Sequence, residues 1–160
     1  TGLFNRRAFF ELAEKLEAQN AAFAILMIDI DHFKSINDNH GHLGGDRVLV
    51  HAARLIQGAF RTDDIACRYG GEEFCVLLRN CDHAQALQLA EGLVSHWAAE
   101  PLDVSDGQRV RVTTSVGVCT RTSGQTLLKT LQQADAALYS AKHQGRNRAV
   151  AYTEDTRTTT

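Results

Sequence analysis

Apolar residues fall along this chain in two rhythms. Phe9, Leu12, Ala13 and Leu16 recur at spacings of three and four, which predicts a helix opening at Arg6 behind an Asn5 cap. Phe23 to Ile28 is instead an unbroken apolar run, the pattern of a strand buried on both faces, and it ends in Asp29-Ile30-Asp31. A helical rhythm returns from about Asp46 to Phe60, with Leu49, Ala52, Leu55, Ile56 and Ala59 on one face. Two strand-like runs, Ile65 to Tyr69 and Phe74 to Leu78, then flank Gly70-Gly71-Glu72-Glu73 and read as a β-hairpin. Asp82, with Gln85 three residues on, predicts a capping box for a helix whose stripe is Ala86, Ala90, Leu93 and Trp97. Val110, Val112, Thr114, Val116 and Val118 alternate as one strand reaching Cys119. Leu127, Leu131, Ala134, Leu138 and Ala141 mark a last long helix that Gly145 ends, and Arg148 to Tyr152 reads as a short final strand.

The order is helix, strand, helix, hairpin, helix, strand, helix. It favours an α/β layer arrangement with helices over a central sheet, in one domain spanning 1–152, followed by a polar tail, Thr153 to Thr160. The length of 160 residues suits one core. With 17 Lys and Arg against 19 Asp and Glu the net charge is −2, which argues against a nucleic-acid binder. No apolar run reaches the ~20 residues that cross a bilayer. The polar opening, without Met, reads as a fragment of a longer protein, and a cytoplasmic domain whose parent carries any anchor upstream is expected. Cys67, Cys75, Cys81 and Cys119 form no Cys-x-x-Cys pair and read as buried small residues in a reducing compartment.

Chemistry enters with the acids. Asp29, at the exit of an apolar strand, needs a partner once desolvated. Glu72 and Glu73 lie at the hairpin tip, and they converge on Asp29 if the hairpin pairs beside the first strand. Clustered carboxylates repel unless a cation lies between them, and oxygen ligands suit Mg²⁺. An EF-hand is excluded, because Phe33 and Lys34 stand where an oxygen ligand and the turn glycine belong. The stretch Asp31 to Asp46, rich in short polar residues and glycines, reads either as a phosphate-facing loop or as an ordinary polar loop before a capped helix. Within it Asn37 and Asp46 match the edge groups of guanine. Lys142 and Arg146, four apart near a helix end, suit either terminal phosphates or the negative end of the helix.

Taken together these residues resemble the GGDEF family of diguanylate cyclases. Arg68-Tyr69-Gly70-Gly71-Glu72-Glu73-Phe74 carries the signature in its GGEEF form. Thr1-Gly2-Leu3 with Asn5-Arg6-Arg7 matches the opening motif. Asp29-Ile30-Asp31, Phe33-Lys34, Asn37-Asp38, Gly41-His42 and Gly45-Asp46 match the next block. Ala134-Asp135, Ala137-Leu138-Tyr139, Ala141-Lys142 and Gly145-Arg146-Asn147 match the closing one.

The resemblance implies a fold like a polymerase palm or nucleotidyl cyclase core, a central, mainly antiparallel sheet surrounded by helices. It implies condensation of two GTP into cyclic di-GMP, with Asp29, Glu72 and Glu73 catalytic. Asp29, Glu72 and the Ile30 carbonyl would hold Mg²⁺ or Mn²⁺, with Glu73 on a second ion. Phe33, Lys34, Lys142 and Arg146 would hold the triphosphate, Asn37 and Asp46 the guanine, and Gly70-Gly71 would admit the nucleotide close to the backbone. Each subunit takes one GTP, so a homodimer and an upstream sensory domain are expected. Arg61-x-x-Asp64 marks a site for inhibition by the product. The alternatives are an inactive cyclic di-GMP receptor module and a related enzyme making another cyclic nucleotide.

Overall fold

The computed structural model describes residues 3–105 and 107–153. Helix α1 (Arg6–Ala18) opens on the Asn5 cap, whose side chain accepts from the Ala8 N–H at 2.8 Å. Strand β1 (Phe23–Ile30) is buried at every position, as its unbroken apolar run requires. After helix α2 (Phe33–Ala59) come β2 (Ile65–Arg68) and β3 (Glu73–Arg79), the two strands of the hairpin. Helix α3 (His83–Ala99) has the full Asp82–Gln85 capping box, a motif that contributes about 1 kcal/mol. Strands β4 (Leu102–Ser105) and β5 (Gln108–Val110) precede β6 (Thr114–Thr120), helix α4 (Leu127–His143) and β7 (Arg148–Ala151).

The sheet order is β2-β3-β1-β6-β7. Pairings are antiparallel except β6 with β7, so the sheet is mainly antiparallel. Its two faces carry separate cores. Ala24, Leu26, Ile28, Phe74 and Val76 pack with Val48, Ile56, Ala90 and Trp97 of α2 and α3. Ile25, Met27, Cys75 and Leu77 pack with Phe9 and Ala13 of α1 and with Leu131, Ala134 and Leu138 of α4. Alternation along β1 therefore assigns Asp29 to the α1–α4 face. Helix α4 lies very close to β6: a Cβ at Gly117 would stand 2.1 Å from the Ala134 carbonyl oxygen. That approach fixes the height of α4 over the end of β1.

Two expectations change. The second helix begins at Phe33, not Asp46, and most of the polar stretch is helical. It is broken at Gly41, whose φ of 70° and ψ of 177° interrupt the helix and suit glycine. The strand expected over Val110 to Cys119 is two: β5 pairs with β4 in a separate two-stranded sheet, and β6 starts at Thr114. Its inward face is nonetheless as read, for Val110, Val112, Val116 and Val118 all join the α2–α3 core. The β4 strand had no counterpart in the sequence reading. Of the expected tail, Thr153 is described and the rest lies outside the described residues.

Among the described residues no helix is long and apolar enough to cross a membrane. The four cysteines are buried and free, and burial pushes the Cys67 thiol up to about 12 and Cys119 to about 11, so both are inert at neutral pH.

Candidate active site

The hairpin does pair beside the first strand. Asp29 stands directly opposite Glu73 on β3 and opposite Ser115 on β6. Directly opposed residues of an antiparallel pair share a face. The next bond out joins the tip to the strand end, since the Ile30 N–H donates to the Glu72 carbonyl at 3.3 Å. Three acid-bearing positions thus lie together at one end of the sheet. Burial, then the nearby Asp29 charge, raises the pKa of both Glu72 and Glu73, and burial raises Asp29 itself despite the Lys142 ammonium beside it.

Asp29 is 3% exposed and its two oxygens differ. Oδ2 accepts from Lys142 Nζ, brought over by α4. Oδ1 is buried and, among the described residues, has no hydrogen-bond partner. A buried carboxylate oxygen left over in this way is costly by about 1–3 kcal/mol and fits the role of a cation ligand. Among the described residues, no three His, Cys, Asp or Glu side chains are already gathered into a ready cluster. The fit of Asp29, Glu72 and Glu73 to Mg²⁺ therefore rests on the spare oxygen and on charge, with Lys142 as the present counter-ion.

Asp31 shows the opposite state. Thr113 and Ser115 hydroxyls and the Asn147 N–H donate to its two oxygens at 2.7, 2.7 and 3.0 Å. It holds β6 and the α4–β7 turn to the end of β1, and sequence reasoning missed all three partners. Between the two acids and α2 sits His32, in the left-handed region at φ 56°, and it makes no side-chain cap. Among the described residues no side chain caps the start of α2, the arrangement that suits a phosphate.

The remaining candidates surround this end. Phe33 is buried against the α2–α3 core and Lys34 is exposed. Asn37 lies against Gly45 so closely that a Cβ there would stand 1.9 Å from its Oδ1. The absence of a side chain at Gly45, next in sequence to the exposed Asp46, is therefore what leaves room for Asn37. Gly70 and Gly71 are exposed in the hairpin turn, and Arg146, at φ 64°, is near enough for its charge to favour ionised Asp29.

Arg61 and Asp64 stand apart, before β2. Asp64 Oδ2 accepts from the Arg61 N–H at 3.0 Å, and Oδ1 from the Arg79 N–H at 3.1 Å and Arg61 Nη2 at 3.3 Å. Arg61 Nη2 also donates to the Arg79 carbonyl at 2.5 Å. A cavity of about 300 Å³ opens beside them, lined among others by Asn80, Cys81, Gln85 and Leu89.

The family model described as diguanylate cyclase, GGDEF domain, matches residues 1–148. Diguanylate cyclase DgcM of Escherichia coli is 39% identical over 155 residues, covering 94% of this chain and 37% of its own length. The chain thus spans less than half the length of such curated relatives. The GGDEF domain of DgcB from Caulobacter crescentus, solved with c-di-GMP, superposes with a TM-score of 0.88 at 32% identity, over 94% of this chain and 92% of that one. An active GGEEF domain of a diguanylate cyclase from Vibrio cholerae gives 0.86 at 32% identity, over 95% and 99%.

Proposed function

The chain belongs to the GGDEF family of diguanylate cyclases, and on that premise we propose that it joins two GTP molecules into cyclic di-GMP, releasing pyrophosphate. The observation that carries this reading is the buried, unpartnered Asp29 Oδ1, beside Glu72 and Glu73 and next to the uncapped start of α2.

In this reading Asp29, Glu72 and the Ile30 carbonyl hold Mg²⁺ or Mn²⁺, and Glu73 serves a second ion. The metal, when bound, supplies charge that polarises the α-phosphate and eases loss of the ribose 3′-hydroxyl proton. The protein's own part is positioning. The first turn of α2, Lys34, Lys142 and Arg146 hold the triphosphate, so Lys142 passes from Asp29 to phosphate as nucleotide binds. Asn37 offers an amide and Asp46 a carboxylate to guanine, whose donor and acceptor edge they match. Each chain orients one GTP, and two chains meeting face to face set each 3′-hydroxyl against the other α-phosphate. That arrangement converts an encounter into a fixed geometry. Product returns to the second site, where Arg61 forks onto phosphate or guanine while Asp64 keeps it aimed. The domain works in the cytoplasm in this reading, where GTP is available.

The test is to incubate the purified chain with GTP and Mg²⁺ and follow pyrophosphate and cyclic di-GMP. Turnover is expected with GTP and not with ATP, and Glu72→Ala should lower it at least about 100-fold. Cyclic di-GMP binding without any pyrophosphate at any chain concentration would make the domain a receptor instead.

A further inference from the structure

The turn carrying Glu72 has no side chains at Gly70 and Gly71 with which to fix itself, and it is held by two arginines. From the strand side, Arg68 Nε donates to the Gly70 and Gly71 carbonyls at 3.2 and 3.1 Å, and its Nη2 to Gly71 at 2.6 Å. From outside the sheet comes Arg6, the first residue of α1. Its guanidinium carbon lies 4.1 Å from the centre of the Tyr69 ring and 5.7 Å from that of Phe10. Its nitrogens reach the Tyr69 carbonyl and hydroxyl, each at 3.4 Å. Phe10, one helical turn on, sets its ring 6.2 Å from Tyr69. Just upstream, the Phe4 N–H donates to the Ala66 carbonyl at 3.0 Å, so the chain entering α1 is tied to the same hairpin.

We infer that Arg6 is a positioning residue, which couples the start of α1 to the glycine turn and so sets where Glu72 and Glu73 stand. The Tyr69 and Gly70 N–H groups both donate to the Glu73 carbonyl, at 2.7 and 3.1 Å, so a shift of Tyr69 is carried to the acids through the backbone. Arg6 is exposed, and its stack adds little to the core. A displacement of the segment before α1 would thus reach the acidic turn without unfolding anything. The consequence for turnover rests on the proposed function; the coupling itself does not.

The experiment compares Arg6→Met, Arg6→Lys and Tyr69→Phe in this chain, reading amide hydrogen exchange over 69–73, melting temperature, and kcat and KM for GTP. Arg6→Met should speed exchange in the turn and lower kcat, each about fivefold, the weight of a cation–π contact, with KM and melting nearly unchanged. Tyr69→Phe, which keeps the ring, should behave like the parent, and Arg6→Lys should recover part of the loss. Unchanged exchange in Arg6→Met overturns the inference. So does a raised KM at constant kcat, which would put Arg6 on the nucleotide, or an equal loss with lowered melting in all three variants. If the parent chain shows no turnover, the functional reading fails while the exchange comparison still decides the coupling.

Discussion

The two ends of strand β2 treat their acids in opposite ways. Before Ile65, the Asp64 side chain is only 2% exposed and accepts from two backbone N–H groups as well as from the Arg61 guanidinium. Beyond Arg68, the turn brings Glu72 and Glu73 beside Asp29, where one buried oxygen accepts from no described residue. Both ends have an acid beside a cation. What separates them is whether the lone pairs are used up. A satisfied buried acid is part of the structure, whereas an unsatisfied one stores a cost that only a further ligand removes. Asp31, two residues from Asp29 and fully engaged, makes the same contrast on one strand end.

The sharpest way to break this contrast is Asp29→Asn. Turnover should fall by at least about 100-fold, while the melting temperature in metal-free buffer holds or rises, because a desolvated charge is replaced by a neutral amide. A large fall in melting temperature would move Asp29 into the structural class. Asp64→Ala should do the reverse. It removes the acceptor of the Arg61 and Arg79 N–H groups, the latter part-buried, and urea unfolding should show a loss of about 1–3 kcal/mol. Lys142→Met separates counter-ion from phosphate ligand: KM for GTP should rise about tenfold, seen in steady-state kinetics at saturating Mg²⁺. The smallest effect is expected for Arg61→Ala. Calorimetry should show about a severalfold loss of cyclic di-GMP affinity, with GTP turnover unchanged and little change in stability, since the Arg61 side chain is 57% exposed. Undiminished product affinity and inhibition would leave Arg61 with no more than a structural part.

Much of this was legible in order along the chain. The Asn5 cap, the Asp82–Gln85 box, the all-buried β1 and the stripe of α4 are local patterns, and local patterns survive into the fold. The start of α2 was not, because Phe33 to Gly44 is polar, interrupted by Gly41, and lacks an apolar stripe long enough to show a period. Strands β4 and β5 were lost for a related reason: each is four residues or fewer, too short for alternation to stand out.

By itself the sequence determined the acids, their separation along the chain, the glycine turn and the family to which they belong, since these depend only on residue type and spacing. The tertiary structure alone decided which acid is spent and which is free. Asp29 and Asp31 are chemically the same and nearly adjacent, yet the partners that distinguish them, Thr113, Ser115, Lys142 and Asn147, arrive from a strand, a helix and loops more than 80 residues away. Hydrogen-bond satisfaction is a property of packed neighbours, and no local pattern encodes it.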